Sequence, residues 1–229
     1  MRRKSLIVFG LILVLFTLQS CKSKPEQGLL KSYFHACSFN DVTTMSTMAV
    51  DPLKIDAETW TITKASEEKI EPASLADLNT KEIDLKKQQD AHVPTTLDAK
   101  DSLEAAKDEY NSARTGAAKA AAKAKMDAAQ KKYDDEYKLH QDIIKQYGEA
   151  RTAAAKEEEI TNFSLRAGQL ANIRDLKGNV HSKEVEVQVK LKNGTVKNYK
   201  ITMEMYNLKD ETANIPYRGR WVITKFELL

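Results

Sequence analysis

The 229-residue chain is 30 % charged and 41 % hydrophobic, with 36 Lys and Arg against 33 Asp and Glu, a formal net charge of +3. Its two Cys and four His (His35, His92, His140, His181) show no metal-ligand spacing, and there is no Gly-rich phosphate loop or Ser-centred nucleophile elbow. Composition and motifs therefore exclude recognisable metal or nucleophile chemistry, and the informative signals lie in the arrangement of apolar residues.

The chain opens on Arg2, Arg3 and Lys4, followed by an apolar run from Leu6 to Leu18. That run is too short to span a bilayer as a permanent helix and too long and apolar for a loop. Residues 18–21 then read Leu-Gln-Ser-Cys. The arrangement resembles the lipobox of bacterial lipoprotein signal peptides: Leu18, Ser20 and Cys21 match it, while Gln19 departs at the most permissive position. The resemblance implies signal cleavage between Ser20 and Cys21, lipidation of the Cys21 thiol, and a stable membrane anchor of two or three acyl chains. By the same resemblance, Lys22 in place of an Asp after the Cys implies the outer membrane, facing the periplasm. The competing readings are an ordinary secretory signal with an incidental Cys, or an uncleaved anchor helix.

Removal of residues 1–20 takes away Arg2, Arg3 and Lys4 and leaves 33 basic against 33 acidic side chains. No basic surplus then argues for nucleic acid. With Cys21 lipidated, Cys37 stands alone, cannot form an intrachain disulfide, and reads as a buried, inert thiol.

Residues 21–28 form a short polar tether. From Leu29 to about Val50 the positions Leu30, Tyr33, Phe34, Cys37, Met45 and Met48 recur at helical spacing, with a break near Phe39-Asn40-Asp41 where an Asx-type cap restarts the chain. Asp51-Pro52 ends this part. Thr59-Trp60-Thr61-Ile62-Thr63 reads as a strand reaching toward Ile70–Pro72.

Residues 73–160 are rich in Ala, Lys, Glu, Asp and Gln, as long exposed helices are. Thr115-Gly116 sits near the centre and predicts a helical hairpin insertion, with Pro94 kinking or restarting the first arm. The rival is one continuous helix through Gly116, since a mid-helix Gly costs only about 1 kcal/mol. Leu103, Ala106, Tyr110 and Ala113 in the first arm, and Tyr133, Tyr137, His140, Ile144, Tyr147, Arg151 and Ala154 in the second, alternate as a coiled-coil seam. Small residues at Ala117, Ala120, Ala121 and Ala124 are expected to let the arms approach.

Beyond Ile160, Val185, Val187, Val189 and Leu191 alternate, as do Tyr199, Ile201, Met203 and Met205, about an Asn193-Gly194 turn. This predicts an antiparallel hairpin. A two-residue turn would set the apolar sets on opposite faces. A three-residue loop, or a bulge near Lys197-Asn198, pairs Val189 with Tyr199 and Val187 with Ile201 on one face. The last strand, Gly219 to Leu228, is apolar on both phases and suits a central position.

Helices followed by long antiparallel strands make an α+β domain of residues 29–72 and 161–229. That order, closing on Gly219-Arg220-Trp221-Val222-Ile223, resembles the nuclear transport factor 2-like superfamily, with a curved sheet and a cone-shaped pocket. The resemblance implies acid or base work by Asp, His or Tyr in such a pocket, but Tyr33, His35, Asp41, Tyr199 and Tyr206 match no motif, so no catalytic residue, cofactor or metal ligand is assigned. The expectation is a non-catalytic, membrane-anchored envelope lipoprotein that binds a protein partner or acts as a scaffold through its helical hairpin. The alternative is an anchored small-ligand domain using the cone pocket, less readily an enzyme. Oligomeric state stays open.

Overall fold

The computed structural model describes residues 24–166, 168, 170 and 172–229. Residues 18–21, the segment expected to be a lipobox, with Ser20 and Cys21, lie outside the described residues. In chain order the elements are α1 (Pro25–Ser38), α2 (Val42–Met45), β1 (Ala57–Ala65), β2 (Lys69–Pro72), α3 (Leu75–Ser112), α4 (Gly116–Leu165), a 3₁₀ turn (Ile173–Asp175), β3 (Lys177–Leu191), β4 (Val196–Asp210), β5 (Ile215–Arg218) and β6 (Val222–Leu228). The protein is α+β, with a curled antiparallel half-barrel sheet and a long helical segment. Strand order is β1-β3-β4-β5, with β2 also on β3 and β6 also on β4.

The β3–β4 turn is the three-residue form: Leu191 N–H donates to the Thr195 carbonyl at 2.8 Å, and Gly194 N–H to that of Leu191 at 2.8 Å. Gly194 takes φ +83°, a left-handed conformation open to glycine without a Cβ penalty. Leu191 opposite Thr195 sets Val189 opposite Lys197 and Val187 opposite Tyr199, two residues from the expected pairs. The odd loop length still keeps both apolar sets on one face, and Val185, Val187, Val189, Tyr199, Ile201 and Met203 are all buried.

By compactness the described residues divide into two units, one of 24–69, His181–Met205 and Arg220–Leu229, the other of Ile70–Val180 and Tyr206–Gly219. In the first, α1 lays Leu30, Tyr33, Phe34, Ala36 and Cys37 on the apolar strand face, and Met45, Met48, Ile55 and Ile223 complete one core. Asp41 restarts the chain as expected: it caps α2, and its carboxylate accepts from Thr44 N–H at 3.0 Å. The expected strand toward Pro72 is interrupted at residues 66–68, where Ser66 N–H donates to the Glu184 carbonyl at 2.9 Å. The last strand begins at Val222 and pairs with β4 alone. Its other edge meets only a parallel bridge, Ala49 to Ile223, closed by Val50 N–H to Ile223 O and Ile223 N–H to Met48 O. Coverage by residues 48–50, not a second strand, thus accounts for an apolar edge strand.

Glu26, in the first turn of α1, is 3 % exposed and bonds Lys183 of β3 at 2.8 Å. Burial pushes the Glu26 carboxyl up, but the Lys183 hydrogen bond and the backbone pull it further down, so it ends below the usual range. A depressed carboxyl adds stability above its unfolded pKa and loses it as pH falls through the folded one. Melting temperature is therefore expected to drop on acidification, with a smaller drop over the same interval in Glu26→Gln. Lys183→Met, which strands the carboxylate, should cost about 3–5 kcal/mol in a denaturation titration at neutral pH.

In the second unit α3 and α4 run antiparallel, as the contacts His92–Glu136 and Lys125–Glu109 require. The chain breaks at Ala113–Thr115: Ala113 ends α3, and Thr115 caps α4 by accepting from Ala118 N–H at 3.2 Å. Gly116 is therefore the first residue of α4. Pro94 lies inside α3, which neither ends nor restarts there. At the far end of the pair, Arg174 bonds Glu158 at 2.7 Å and Glu82 at 2.8 Å, tying the 3₁₀ turn to both helices. Ser164 Oγ accepts from Tyr206 N–H at 3.1 Å, and Gly219 N–H donates to Tyr206 O at 2.7 Å. A Cβ on Gly219 would meet Ser164 Oγ and come within 2.7 Å of Tyr206 O. Gly219→Ala is expected to cost about 1–3 kcal/mol of unfolding free energy.

Candidate functional site

The side chains singled out for a cone pocket do not converge on a cavity. Tyr33 is buried, its hydroxyl donates to the Leu53 carbonyl at 2.8 Å, and burial pushes its phenol far above the usual value. Asp41 is engaged as a cap, and its hydrogen bonds from Thr44 hold the carboxyl low. Tyr199 is 7 % exposed within the apolar core, and burial raises its phenol. Tyr206 belongs to the second unit, where its hydroxyl donates to Glu157 at 2.9 Å. Met203 and Tyr199 fill the strand face, with Trp221 packed against the same core. Cys37 is buried and its thiol pushed up, as an inert core cysteine is.

His35 instead faces a surface groove of about 690 Å³ between α1 and β1, lined also by Lys31, Phe34, Glu58 and Trp60. Phe34 and Trp60 stack there at 4.9 Å and 17°. The i,i+4 spacing of Lys31 and His35 was legible in sequence, but the helix–strand juxtaposition was not. Glu58 is already paired with Lys190 at 2.7 Å. The groove thus offers an aromatic wall and two basic side chains, with no acid–base pair within it.

The helical pair carries the more unusual chemistry. Buried and half-buried positions on α3 run Leu75, Leu78, Glu82, Leu85, Gln89, His92, Thr96, Ala99, Leu103, Ala106, Tyr110 and on to Ala113, in alternating steps of three and four. Those on α4 run Ala122, Met126, Ala129, Tyr133, Glu136, His140, Ile143, Tyr147, Ala150, Ala154 and Glu157. The four expected first-arm positions, Leu103, Ala106, Tyr110 and Ala113, are buried or half-buried. In the second arm Tyr133, His140, Tyr147 and Ala154 face the seam, but Glu136, Ile143 and Ala150 take the places expected for Tyr137, Ile144 and Arg151. Two causes are visible: His92 Nε2 sits 3.4 Å from the Glu136 carboxylate and 3.2 Å from its carbonyl, and Ala150 is small enough for close approach. Near the turn, Ala122 is buried and the four expected Ala positions are exposed.

The consequence is a local inversion. The middle of the seam holds Gln89, His92, Thr96, Glu136 and His140, while Ile83, Val93, Leu97, Tyr137, Leu139 and Ile144 stand out to solvent, Val93 at 40 % and Tyr137 at 47 % exposure. His92 and His140 lie 5.8 Å apart by ring centroids, and His140 Nδ1 is buried without a hydrogen-bond partner. Among the described residues no group of three or more His, Cys, Asp or Glu is arranged to hold a metal ion. Nor is any helix among them long and apolar enough to cross a membrane. No family model, curated protein or solved structure matches the chain.

An unpaired buried nitrogen costs about 1–3 kcal/mol. His140→Leu is accordingly expected to stabilise the helical pair by about that amount, seen as a higher midpoint in thermal unfolding followed by helix ellipticity.

Proposed function

We propose that this protein is a membrane-anchored envelope lipoprotein without catalytic function, which binds or scaffolds a protein partner through its paired helices. The observation that carries the reading is the band of exposed apolar side chains on α3 and α4 beside a polar seam. A helix pair serving only as a spacer gains nothing by half-burying Gln89, His92 and Glu136 and exposing Val93, Leu97 and Tyr137, whereas an apolar band rimmed by charge marks an interaction surface. The three-and-four alternation supports reading the pair as a coiled-coil hairpin. The packing of α1 on a curved antiparallel sheet supports a cone-shaped, nuclear transport factor 2-like first unit. Side chains filling that unit's strand face leave a ligand-binding alternative to the shallow α1–β1 groove.

The anchor rests on Leu18–Cys21, with Cys21 as the lipidated residue at the outer membrane. In this reading the wild-type chain incorporates labelled palmitate and loses residues 1–20. Cys21→Ser should abolish labelling and leave the precursor uncleaved. Processing and labelling unchanged by the substitution would refute the lipobox.

A further inference from the structure

We infer that the partner seated on this face is a second copy of the same chain, so the proposal rests on the binding reading above and names its occupant. Each helix is right-handed and the two run in opposite directions, so the residue following a seam position turns to the same side on both helices. Ile83 follows Glu82, Val93 follows His92 and Leu97 follows Thr96; on the other helix Tyr137 follows Glu136 and Ile144 follows Ile143. All five therefore share one side of the pair, and each is exposed. An apolar position added beside a two-helix seam widens the apolar stripe, as in helices that pack in larger bundles.

The arrangement of that side is its own complement at Ile83, Val93, Tyr137 and Ile144, while Leu97 falls opposite the second copy's Asn79. On α3, Ile83 and Val93 lie five residues either side of Gln88, and Lys86 and Asp90 lie two either side of it. On α4, Tyr137 and Ile144 lie symmetrically about the peptide bond joining His140 and Gln141. These two centres stand at the same height. His92 meets Glu136, and four residues back from His92 is Gln88 while four on from Glu136 is His140. One two-fold axis, perpendicular to the helices through this point, satisfies both helices together. It sets Ile83 against the second copy's Val93, Lys86 against its Asp90, and Tyr137 against its Ile144. A closed pair with a two-fold axis demands such self-complementarity, and an unrelated partner does not. Lys86 and Asp90 already contact each other within one chain, so in the dimer four alternating charges flank the apolar band.

Gln141 lies beside the axis, and the full chain with Gln141→Cys, kept in its native membranes, is the test. A short thiol-to-thiol crosslinker should give an adduct of twice the monomer mass containing this chain alone. Gln146→Cys, on the other side of the pair, should give none. Lys86→Asp should cut the Gln141→Cys adduct several-fold, and Lys86→Asp with Asp90→Lys should restore it. Helix ellipticity unchanged across the set keeps a folding defect from being mistaken for lost association. No adduct, an equal adduct from Gln146→Cys, or charge reversals without effect would overturn the dimer. Capture of a different protein at Gln141→Cys would also overturn it while leaving the binding reading standing, and a failed Cys21→Ser experiment would remove the anchor without touching the dimer.

Discussion

The register of the β3–β4 ribbon is the constraint on which the other strands depend. Both strands have 15 residues, and side chains alternate between faces, so a slip of one residue would carry Val185, Val187 and Val189 out of the core together. The bond from Leu191 N–H to Thr195 prevents that at one end. Gly178 helps at the other: a Cβ there would overlap the Asn207 carbonyl, so only glycine lets the two backbones come so close. The remaining strands then add to an existing template, β1 and β2 along β3, and β5 and β6 along β4.

Local chemistry was read correctly wherever a short stretch of sequence contains its own cause. The Asp41 cap needs only Thr44 three residues on, and the Asn193-Gly194 turn needs only loop parity. The second-arm seam depended on information from elsewhere in the chain. Alone, α4 supports Tyr137, Ile144 and Arg151 in the seam as well as Glu136, Ile143 and Ala150, since both sets alternate by three and four. The more apolar choice of Tyr137 over Glu136 fails where His92, 44 residues away, brings Nε2 to 3.4 Å from the Glu136 carboxylate. The position of the last strand failed for a similar reason: residues 48–50 cover an edge that sequence pattern could attribute only to another strand. Likewise the Lys31–His35 groove required knowing that Trp60 stacks on Phe34.

The polar middle of the seam has an energetic reason to persist only in combination with the face beside it. Half-burying His92 and Glu136 yields little net stabilisation, because desolvation offsets most of what their contact returns. The exposed i,i+4 pairs Lys123–Asp127 and Lys131–Asp135 add little, because solvent screens both partners. Stability of the pair therefore comes from its buried apolar side chains, Leu75, Leu85, Leu103 and Ile143 among them. The middle is freed to fix alignment, as polar seam residues do in coiled coils at a cost in stability, while its apolar side chains face outward.

A two-fold axis perpendicular to the helices has a geometric consequence for an anchored chain. The second copy's α3 and α4 run opposite to the first copy's, and α4 alone, 50 residues long, extends about 75 Å at 1.5 Å per residue. Helices standing upright from a membrane cannot meet head to tail in this way unless the second copy is anchored in a facing membrane. Helices lying along one membrane can, and if Cys21 carries lipid as proposed, two anchors then hold one dimer and each raises the effective concentration of the other. Charge favours neither orientation if residues 1–20 are removed as proposed, since the remaining side chains balance at 33 against 33 and no net attraction to an anionic surface then draws the helices down. The choice is left to the direction of the axis relative to the lipid, which makes the antiparallel packing of one helical face the feature that decides whether this protein spans a gap or lines a surface.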